Sequence, residues 1–321
     1  MPEFEYIIPD YLDKKRVDKG ITELCVDASR TQVQKAIRAG NFTIGGVVVI
    51  DISSKLKEND VVRLVIEEDA PQDIVPANIP LDIVYEDEHL MVINKSPTMT
   101  VHPGAGENRA TLVNALLYHT NTLSDINGEI RPGIVHRLDK TTSGLMVVAK
   151  NNKAHVNLAA QIQSDELIRR YKAIVWGVVK PLEGRIDIAI GRSSMDRKKM
   201  TTVKKGGKHA VTHYKTIEIM QNGLFSLIEC QLETGRTHQI RVHLSHTRHS
   251  IVGDQTYGNN ARKIQGSPLH LQEDLRKMSH QALHSFYISF IHPVTGIRIE
   301  FEKDVPEDYN HLLEVIRKIN K

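Results

Sequence analysis

Residues 136–144 read HRLDKTTSG and place one carboxylate, Asp139, among His136, Arg137 and Lys140. A carboxylate in this setting can be half of a surface ion pair, or it can be a reactive group that nearby cations keep ionised. In the second case the loop offers a nucleophile or a base beside groups that suit an anionic substrate. The elements around the loop and the charge of the whole chain bear on this choice.

The distribution of charge favours a polyanionic partner. The 321 residues carry a net charge of only +3, and 40% are hydrophobic, which is typical of a globular protein. Residues 139–208, however, hold 15 Lys and Arg against 6 Asp and Glu, a net +9, whereas residues 1–72 hold 10 against 13. A concentrated basic region is a footprint for nucleic acid, although a solvated charged face has the same composition.

Several protein classes are disfavoured by the sequence. No apolar run reaches the ~18 residues of a membrane span, and the N-terminus lacks the apolar core of a signal peptide. Cys25 and Cys230 form no metal or redox motif, so we expect a cytoplasmic protein. Four histidines could serve a metal-dependent hydrolase, but their spacing matches no common metal pattern, and we expect no metal. They are His238, His243, His246 and His249.

Residues 16–66 have the pattern of a small α/β module. A helix is predicted from an N-cap at Ser29 to a C-cap at Gly40, followed by two strands that flank Gly45 and Gly46. With Arg16-Val17-Asp18 and Ser29-Arg30, this pattern resembles the S4 RNA-binding module. The resemblance implies that one helix face touches RNA backbone. The residues of that face are Arg30, Gln34, Lys35 and Arg38.

The pattern of elements predicts an α+β protein with a mixed sheet. Strands outnumber helices in the remaining sequence and do not alternate with them regularly. The sequence predicts an S4-like module over 14–70, an acidic, Pro-containing linker over 71–80 and a catalytic domain over 81–321.

Four stretches together carry a second resemblance. They are IVHRLDKTTSGLMVVAK (134–150), RRYKAIVWG (169–177), LETGRTHQIRVHLSH (232–246) and GDQTYG (253–258). In this order they resemble the RluA-type pseudouridine synthases, especially the ribosomal large-subunit synthases with an N-terminal S4 module. The resemblance covers nearly the whole chain and implies a central mixed, mainly antiparallel sheet. It also implies isomerisation of uridine in RNA after base flipping, without a cofactor, because the reaction involves neither redox change nor hydrolysis.

The resemblance assigns the central chemistry to two residues. Asp139 is the catalytic carboxylate, and it either attacks a carbon covalently or removes a proton from the sugar. Arg236 is expected to pair with Asp139 and to keep it ionised, because a guanidinium fits a carboxylate with two hydrogen bonds and does not deprotonate.

The same resemblance assigns the walls of the site. Tyr171 is expected to pack on the target uracil, with a second, weaker assignment as the base that takes a proton. Arg137 is expected to contact the RNA, filling the stack that the flipped uridine leaves. Leu138 and Ile240 are expected to form an apolar floor.

The tract over 191–210 fits a mobile basic insertion that grips RNA phosphates, with a disordered charged loop as the alternative. Its candidate contacts are Lys198, Lys199, Lys204 and Lys205.

We expect the substrate to be 23S ribosomal RNA, in a stem-loop, with the assembling ribosome as a possible partner and a monomeric enzyme. The alternatives are a synthase acting on transfer RNA and a non-catalytic ribosomal RNA-binding assembly factor.

Overall fold

The structure is a computed structural model that describes most of the chain. The described residues are 3–25, 28, 30–66, 74–103, 110–128, 131–196 and 199–318. The predicted N-cap Ser29 and the predicted RNA contact Lys198 lie outside them. The chain divides into two units, Met1–Gln72 and Asp73–Lys321, and the division falls within the linker predicted over 71–80.

The first unit is a four-stranded antiparallel sheet with two helices. Its strands are β1 (Glu3–Ile7), β2 (Phe42–Ile44), β3 (Val47–Val48) and β4 (Val61–Val65), and its helices are α1 (Val17–Leu24) and α2 (Arg30–Arg38). The strand order is β1-β4-β2-β3. Because β1 pairs along its whole length with β4, the unit begins before residue 14, where the sequence placed its start.

The predicted hairpin and helix of this unit both form. Gly45 and Gly46 have φ values of +57° and +81°, which fit the tight turn that joins β2 to β3. The helices bury their apolar face on the sheet, and Ile21, Ile37 and Phe42 are fully buried there.

The second unit contains the remaining elements. The strands are β5 (Ile83–Glu86), β6 (Leu90–Lys95), β7 (Ser143–Ala149), β8 (Ile168–Trp176), β9 (Glu183–Asp187), β10 (Ile190–Arg192), β11 (Met200–Thr202), β12 (Val211–Met220), β13 (Phe225–Leu232), β14 (Leu283–Ile291) and β15 (Arg298–Glu302). The helices are α3 (Leu112–His119), α4 (Asn152–Gln163), α5 (Gln239–His246), α6 (Asn260–Gln265), α7 (Leu269–Lys277) and α8 (Glu307–Arg317).

Nine of these strands form one sheet, in the order β5-β6-β7-β14-β8-β13-β12-β9, with β15 paired to β14. Among the described ladders of this sheet, β7 with β14 is parallel and the others are antiparallel. The predicted α+β class with a mixed, mainly antiparallel sheet is therefore confirmed. β10 and β11 form a separate hairpin within the basic tract, so this part of the predicted insertion has regular structure.

The centre of the sheet is apolar on both faces. Along β7 the side chains alternate between two buried clusters, with Met146 and Val148 on one face and Leu145 and Val147 on the other. Helix α3 covers the first face and α4 the second. This double burial fixes the start of β7, which directly follows the loop that carries Asp139.

Gly144 allows β7 to approach β14 at the end of the sheet that adjoins the Asp139 loop. The parallel register pairs Ser143 with His284 and Gly144 with Ser285. Gly144 has a φ of +114°, and a Cβ built on it would overlap the backbone of Ser285. Only glycine meets both conditions, which explains the last residue of the HRLDKTTSG stretch.

No helix in the described part of the chain combines the length and the hydrophobicity required to cross a membrane.

We expect Gly144→Ala to lower the free energy of unfolding by about 2–4 kcal/mol, because it combines backbone strain with a collision against β14. Urea unfolding of the full chain measures this loss. Gly296→Ala is the matched control, since Gly296 also has a positive φ, of +70°, but no atom lies within 4 Å of the added carbon. Equal midpoints for the two variants would contradict the proposed close approach.

Candidate active site

Lys95, at the end of β6, holds one side of the loop that carries Asp139. The Lys95 ammonium is only 2% exposed and donates to the backbone oxygens of Ser96 (2.7 Å), Met99 (2.9 Å) and Lys140 (3.1 Å). Burial lowers the pKa of Lys95 to about 7, and the charge of Asp139 opposes this shift. The three carbonyl oxygens each accept one proton of the ammonium form, which is the form that these contacts stabilise.

The other side of the loop is tied to the segment before β14. Thr141 Oγ1 donates to Gln281 Oε1 at 2.6 Å, and Gln281 Nε2 donates to Thr142 Oγ1 at 2.8 Å. The backbone N–H of Thr142 donates to the carbonyl oxygen of Asp139 at 3.1 Å and closes a turn. The main chain at Asp139 is thus restrained on both sides, as a preorganised reactive group requires.

Asp139 forms an ion pair with Arg241 on the first turns of α5. Arg241 Nη1 donates to Asp139 Oδ2 at 2.9 Å. The same guanidinium donates from Nε and Nη2 to the two oxygens of Asp254, at 2.8 and 2.9 Å. The side chain of Arg241 is 6% exposed, that of Asp254 0% and that of Asp139 17%. One buried arginine therefore serves two carboxylates.

The surroundings of Arg241 keep it charged. Burial alone would lower the pKa of Arg241, but hydrogen bonds and charge from Asp254, together with the charge of Asp139, outweigh burial and raise it. Burial likewise would raise the pKa of Asp254, yet the hydrogen bonds from Arg241 lower it. The backbone N–H groups of Thr256 and Tyr257 also donate to Asp254. The charged Arg241 guanidinium is therefore held in place against Asp139.

The prediction that Arg236 pairs with Asp139 is wrong. Arg236 lies in the loop before α5, and its Nε donates to the backbone oxygen of His209 at 2.8 Å. Its backbone N–H donates to Gln239 Oε1 at 3.0 Å. The side chain of Arg236 still lines the pocket beside Asp139, but the charge that contacts the carboxylate comes from Arg241.

The GRTHQIR stretch contains two arginines, and their spacing does not identify which one reaches Asp139. The start of α5 at Gln239 decides it, since this places Arg241 on the buried side of the helix. Asp254 in GDQTYG accepts two hydrogen bonds from Arg241, because a fully buried carboxylate requires a cation partner, but its burial is visible only in the structure.

A pocket opens above Asp139, and its walls combine apolar side chains with polar and charged ones. Its lining includes the predicted Leu138, Tyr171 and Ile240, and also Leu232 and Leu283. Tyr171 lies on β8 and is only 4% exposed. Burial raises the pKa of Tyr171, so its phenol stays protonated at neutral pH. This environment suits a ring that packs against a base, and it disfavours the phenolate that a proton-accepting role would need.

Arg137 lies at the pocket edge and is held by His102. Arg137 Nη1 lies 3.3 Å from His102 Nε2. Burial, together with the charges of Arg137 and Arg131, lowers the pKa of His102 to about 4. The imidazole is therefore neutral at pH 7 and accepts a hydrogen bond from the guanidinium. Arg137 itself remains exposed, which is compatible with its predicted contact to RNA.

The other predicted RNA contacts differ in their surroundings. In the first unit, Arg30 and Gln34 donate to Asp18, each at 2.6 Å, and Asp18 is fully buried. Burial would raise the pKa of Asp18, but these hydrogen bonds lower it to about 2. Arg30 and Gln34 thus stabilise the module itself, whereas Lys35 and Arg38 are exposed on α2.

In the second unit Lys199 lies 3.9 Å from Asp196. The exposed turn between β11 and β12 carries Lys204 and Lys205.

The histidines of the 238–249 segment contact neighbouring elements. The pairs are His238 with Tyr257, His243 with Thr212, His246 with Thr202 and His249 with the backbone oxygen of Trp176. Among the residues that the structure describes, no three His, Cys, Asp or Glu side chains form a group that could hold a metal ion.

Comparison with known proteins identifies the family. The family model for RNA pseudouridylate synthases matches residues 89–246, which include Asp139, Tyr171 and Arg241. The model for the S4 domain matches residues 15–62. The chain belongs to the RNA pseudouridylate synthase family and is an isomerase that forms pseudouridine in RNA.

Individual relatives match over nearly the full length. The chain is 43% identical over 324 residues to the ribosomal large subunit pseudouridine synthase D of Zymomonas mobilis, with 100% of both proteins covered. It is also 43% identical to an RNA pseudouridine synthase of Bacillus subtilis, with 95% of both covered. A solved structure, human RNA pseudouridylate synthase domain containing 4, superposes with a TM-score of 0.54 at 25% identity, over 73% of this chain and 92% of that one.

We expect Arg241→Gln to reduce the rate of pseudouridine formation far more than Arg236→Gln. Removing Arg241 leaves Asp254 buried without a counter-charge, a loss of about 3–5 kcal/mol that corresponds to about 10²- to 10⁴-fold if it falls on the reaction. Arg236→Gln leaves the ion pair between Arg241 and Asp139 intact, so the rate of pseudouridine formation should fall by less than about tenfold. Single-turnover assays on both variants measure the difference, and equal losses would contradict the assignment of Arg241.

Proposed function

We propose that this enzyme isomerises uridine in ribosomal RNA of the large subunit, with Asp139 as the reactive carboxylate. The observation that carries the chemical assignment is the shared guanidinium of Arg241 between Asp139 and Asp254, at the base of a pocket that also contains Tyr171. The RNA target is supported by the full-length similarity to synthases named for the large ribosomal subunit.

Each side chain of the pocket has a distinct contact with a flipped uridine. The ring of Tyr171 and the side chains of Leu138 and Ile240 form an apolar surface on which a base can pack. Arg241 holds one oxygen of Asp139, and the other oxygen is directed toward the sugar. Covalent attack on the sugar and removal of a sugar proton both start from this ionised carboxylate. Arg137 at the rim occupies the gap left in the RNA stack.

Exposed cations outside the pocket bind the RNA backbone. Lys199, Lys204 and Lys205 belong to the net +9 region, and Lys35 and Arg38 lie on α2 of the S4 domain. Phosphate contacts of this kind position the RNA without reading its sequence. The proposal includes a stem-loop as the recognised shape, the assembling large subunit as its setting, a monomeric enzyme and the cytoplasm as its location.

We expect Asp139→Asn to abolish pseudouridine formation and to leave RNA binding within a few fold of wild type, because the amide keeps the shape but cannot act as nucleophile or base. Release of tritium from [5-³H]uridine in RNA measures turnover, and filter binding measures affinity. Asp165→Asn, at an exposed turn after α4, is the matched control and should behave as wild type. Normal turnover in Asp139→Asn would overturn the catalytic assignment.

The RNA target can be tested in a strain that lacks the gene. We expect pseudouridines to disappear from the large-subunit ribosomal RNA, as mapped by carbodiimide-induced stops of reverse transcription. Wild type should restore them and Asp139→Asn should not. Loss confined to transfer RNA would refute the ribosomal target while leaving the site chemistry in place. If Asp139→Asn also rescues growth, the chain has an additional role in assembly that does not need catalysis.

A further inference from the structure

His238 is a polar residue of the pocket that has no role in the function proposed above. It precedes α5 with a φ of +58°, a left-handed conformation that is uncommon outside glycine. Its Nδ1 lies 2.7 Å from the phenol oxygen of Tyr257, and its Nε2 lies 3.9 Å from Asp139 Oδ1. The His238 side chain is 23% exposed and lines the same pocket as Tyr171. The imidazole therefore connects Tyr257 to the oxygen of Asp139 that Arg241 does not bind.

Tyr257 determines which nitrogen of His238 carries the proton. The backbone N–H of Met200 donates to the phenol oxygen of Tyr257 at 2.9 Å. We infer that the phenol, whose oxygen already accepts this hydrogen bond, uses its only proton as the donor to His238 Nδ1. A neutral imidazole then carries its proton on Nε2. Burial lowers the pKa of His238, and Arg241 and Arg137 add to this effect while Asp139 and Asp254 oppose it.

The separation of 3.9 Å between His238 Nε2 and Asp139 Oδ1 is too long for a direct hydrogen bond. It matches the space that one oxygen atom would bridge at about 2.8 Å from each partner. Such an atom must accept from Nε2–H and donate to the carboxylate. The uracil carbonyls only accept and its N3–H only donates. Within an RNA chain the 2′-hydroxyl is the one group of the target nucleotide that does both.

We propose that His238 and Asp139 form a donor–acceptor pair that binds the 2′-hydroxyl of the target ribose, with Tyr257 fixing the imidazole. This proposal rests on the catalytic role of Asp139 and extends it to the recognition of ribose. The carboxylate must approach C1′ or the adjacent C2′ in either route, so the 2′-oxygen necessarily lies close to it. His238 is then a residue that distinguishes ribose from deoxyribose in the substrate.

The test combines variants of His238 with a change of one atom in the RNA. The substrates are two synthetic stem-loops that contain the mapped uridine, one with ribose and one with 2′-deoxyribose at that position only. The enzymes are wild type, His238→Asn and His238→Gln. Asparagine tolerates the left-handed backbone but is too short to reach the position of Nε2, whereas the glutamine amide can reach it. Tritium release from C5 reports turnover of both RNAs, and competition binding reports affinity.

We expect the deoxy substitution to cost wild type about 10- to 100-fold in kcat/KM, as for the loss of a hydrogen bond to a charged group. In His238→Asn the same substitution should cost less than about threefold, and His238→Gln should recover part of the discrimination. If the deoxy RNA does not react with any enzyme, the ratio of the two dissociation constants should show the same pattern.

Tyr257→Phe provides a second variant, since it removes the hydroxyl and keeps the ring on which Arg241 stacks at 5.1 Å. It should reduce the discrimination in the same direction as His238→Asn. Thr202→Val is its control, because it removes another hydrogen bond of the β10–β11 hairpin, to His246, without touching His238. A deoxy penalty that is equal in wild type and His238→Asn would overturn the proposal. Failure of the proposed function itself would appear differently, as no reaction of wild type with the ribose RNA.

Discussion

A single guanidinium shared by two carboxylates organises the active site. Arg241 can sit in the protein interior because Asp254 accepts two of its hydrogen bonds, and a third donor of the same guanidinium remains for Asp139. The orientation of Arg241 depends in turn on α5. Gln239, at the first residue of that helix, donates to the carbonyl of Val211 and to Thr212 on β12 and so anchors the helix start to the sheet.

The S4 domain uses the same physical arrangement. Asp18 is buried beneath Arg30, Arg16 and Gln34, and the carboxylate determines where these side chains point. In both units a buried acid therefore fixes an arginine: Asp254 fixes Arg241, and Asp18 fixes Arg30, which the resemblance assigned to RNA. Arg30, held in this way, remains half exposed, whereas Arg241 is buried. Arg30 loses little conformational entropy if it contacts RNA, because its rotamer is already set.

The sequence allowed some parts of this structure to be predicted and left others undetermined. Local patterns were sufficient for the Gly45-Gly46 hairpin and for α2, since each follows from nearby residues. The mainly antiparallel sheet was predicted from the family resemblance. The partner of Asp139 was not predictable, because Arg236 and Arg241 both fit the motif and tertiary packing chooses between them. Lys95 was missed for a related reason: a lysine that ends an apolar strand resembles an exposed strand end. Its partners are backbone oxygens, which leave no pattern in the sequence.

The parallel pairing of β7 with β14 at Gly144 has a consequence for the synthesis of the protein. The catalytic loop lies near residue 140, yet the strand that fixes it and the Gln281 side chain that ties it come about 140 residues later. During translation, at about 5–20 residues per second, Asp139 therefore emerges many seconds before its supports. Arg241 and Asp254 also emerge late. The nascent chain can display its S4 domain early, but it cannot assemble a competent active site until most of the polypeptide has been made. An RNA-modifying enzyme built on this topology remains catalytically silent while its N-terminal part already exists outside the ribosome.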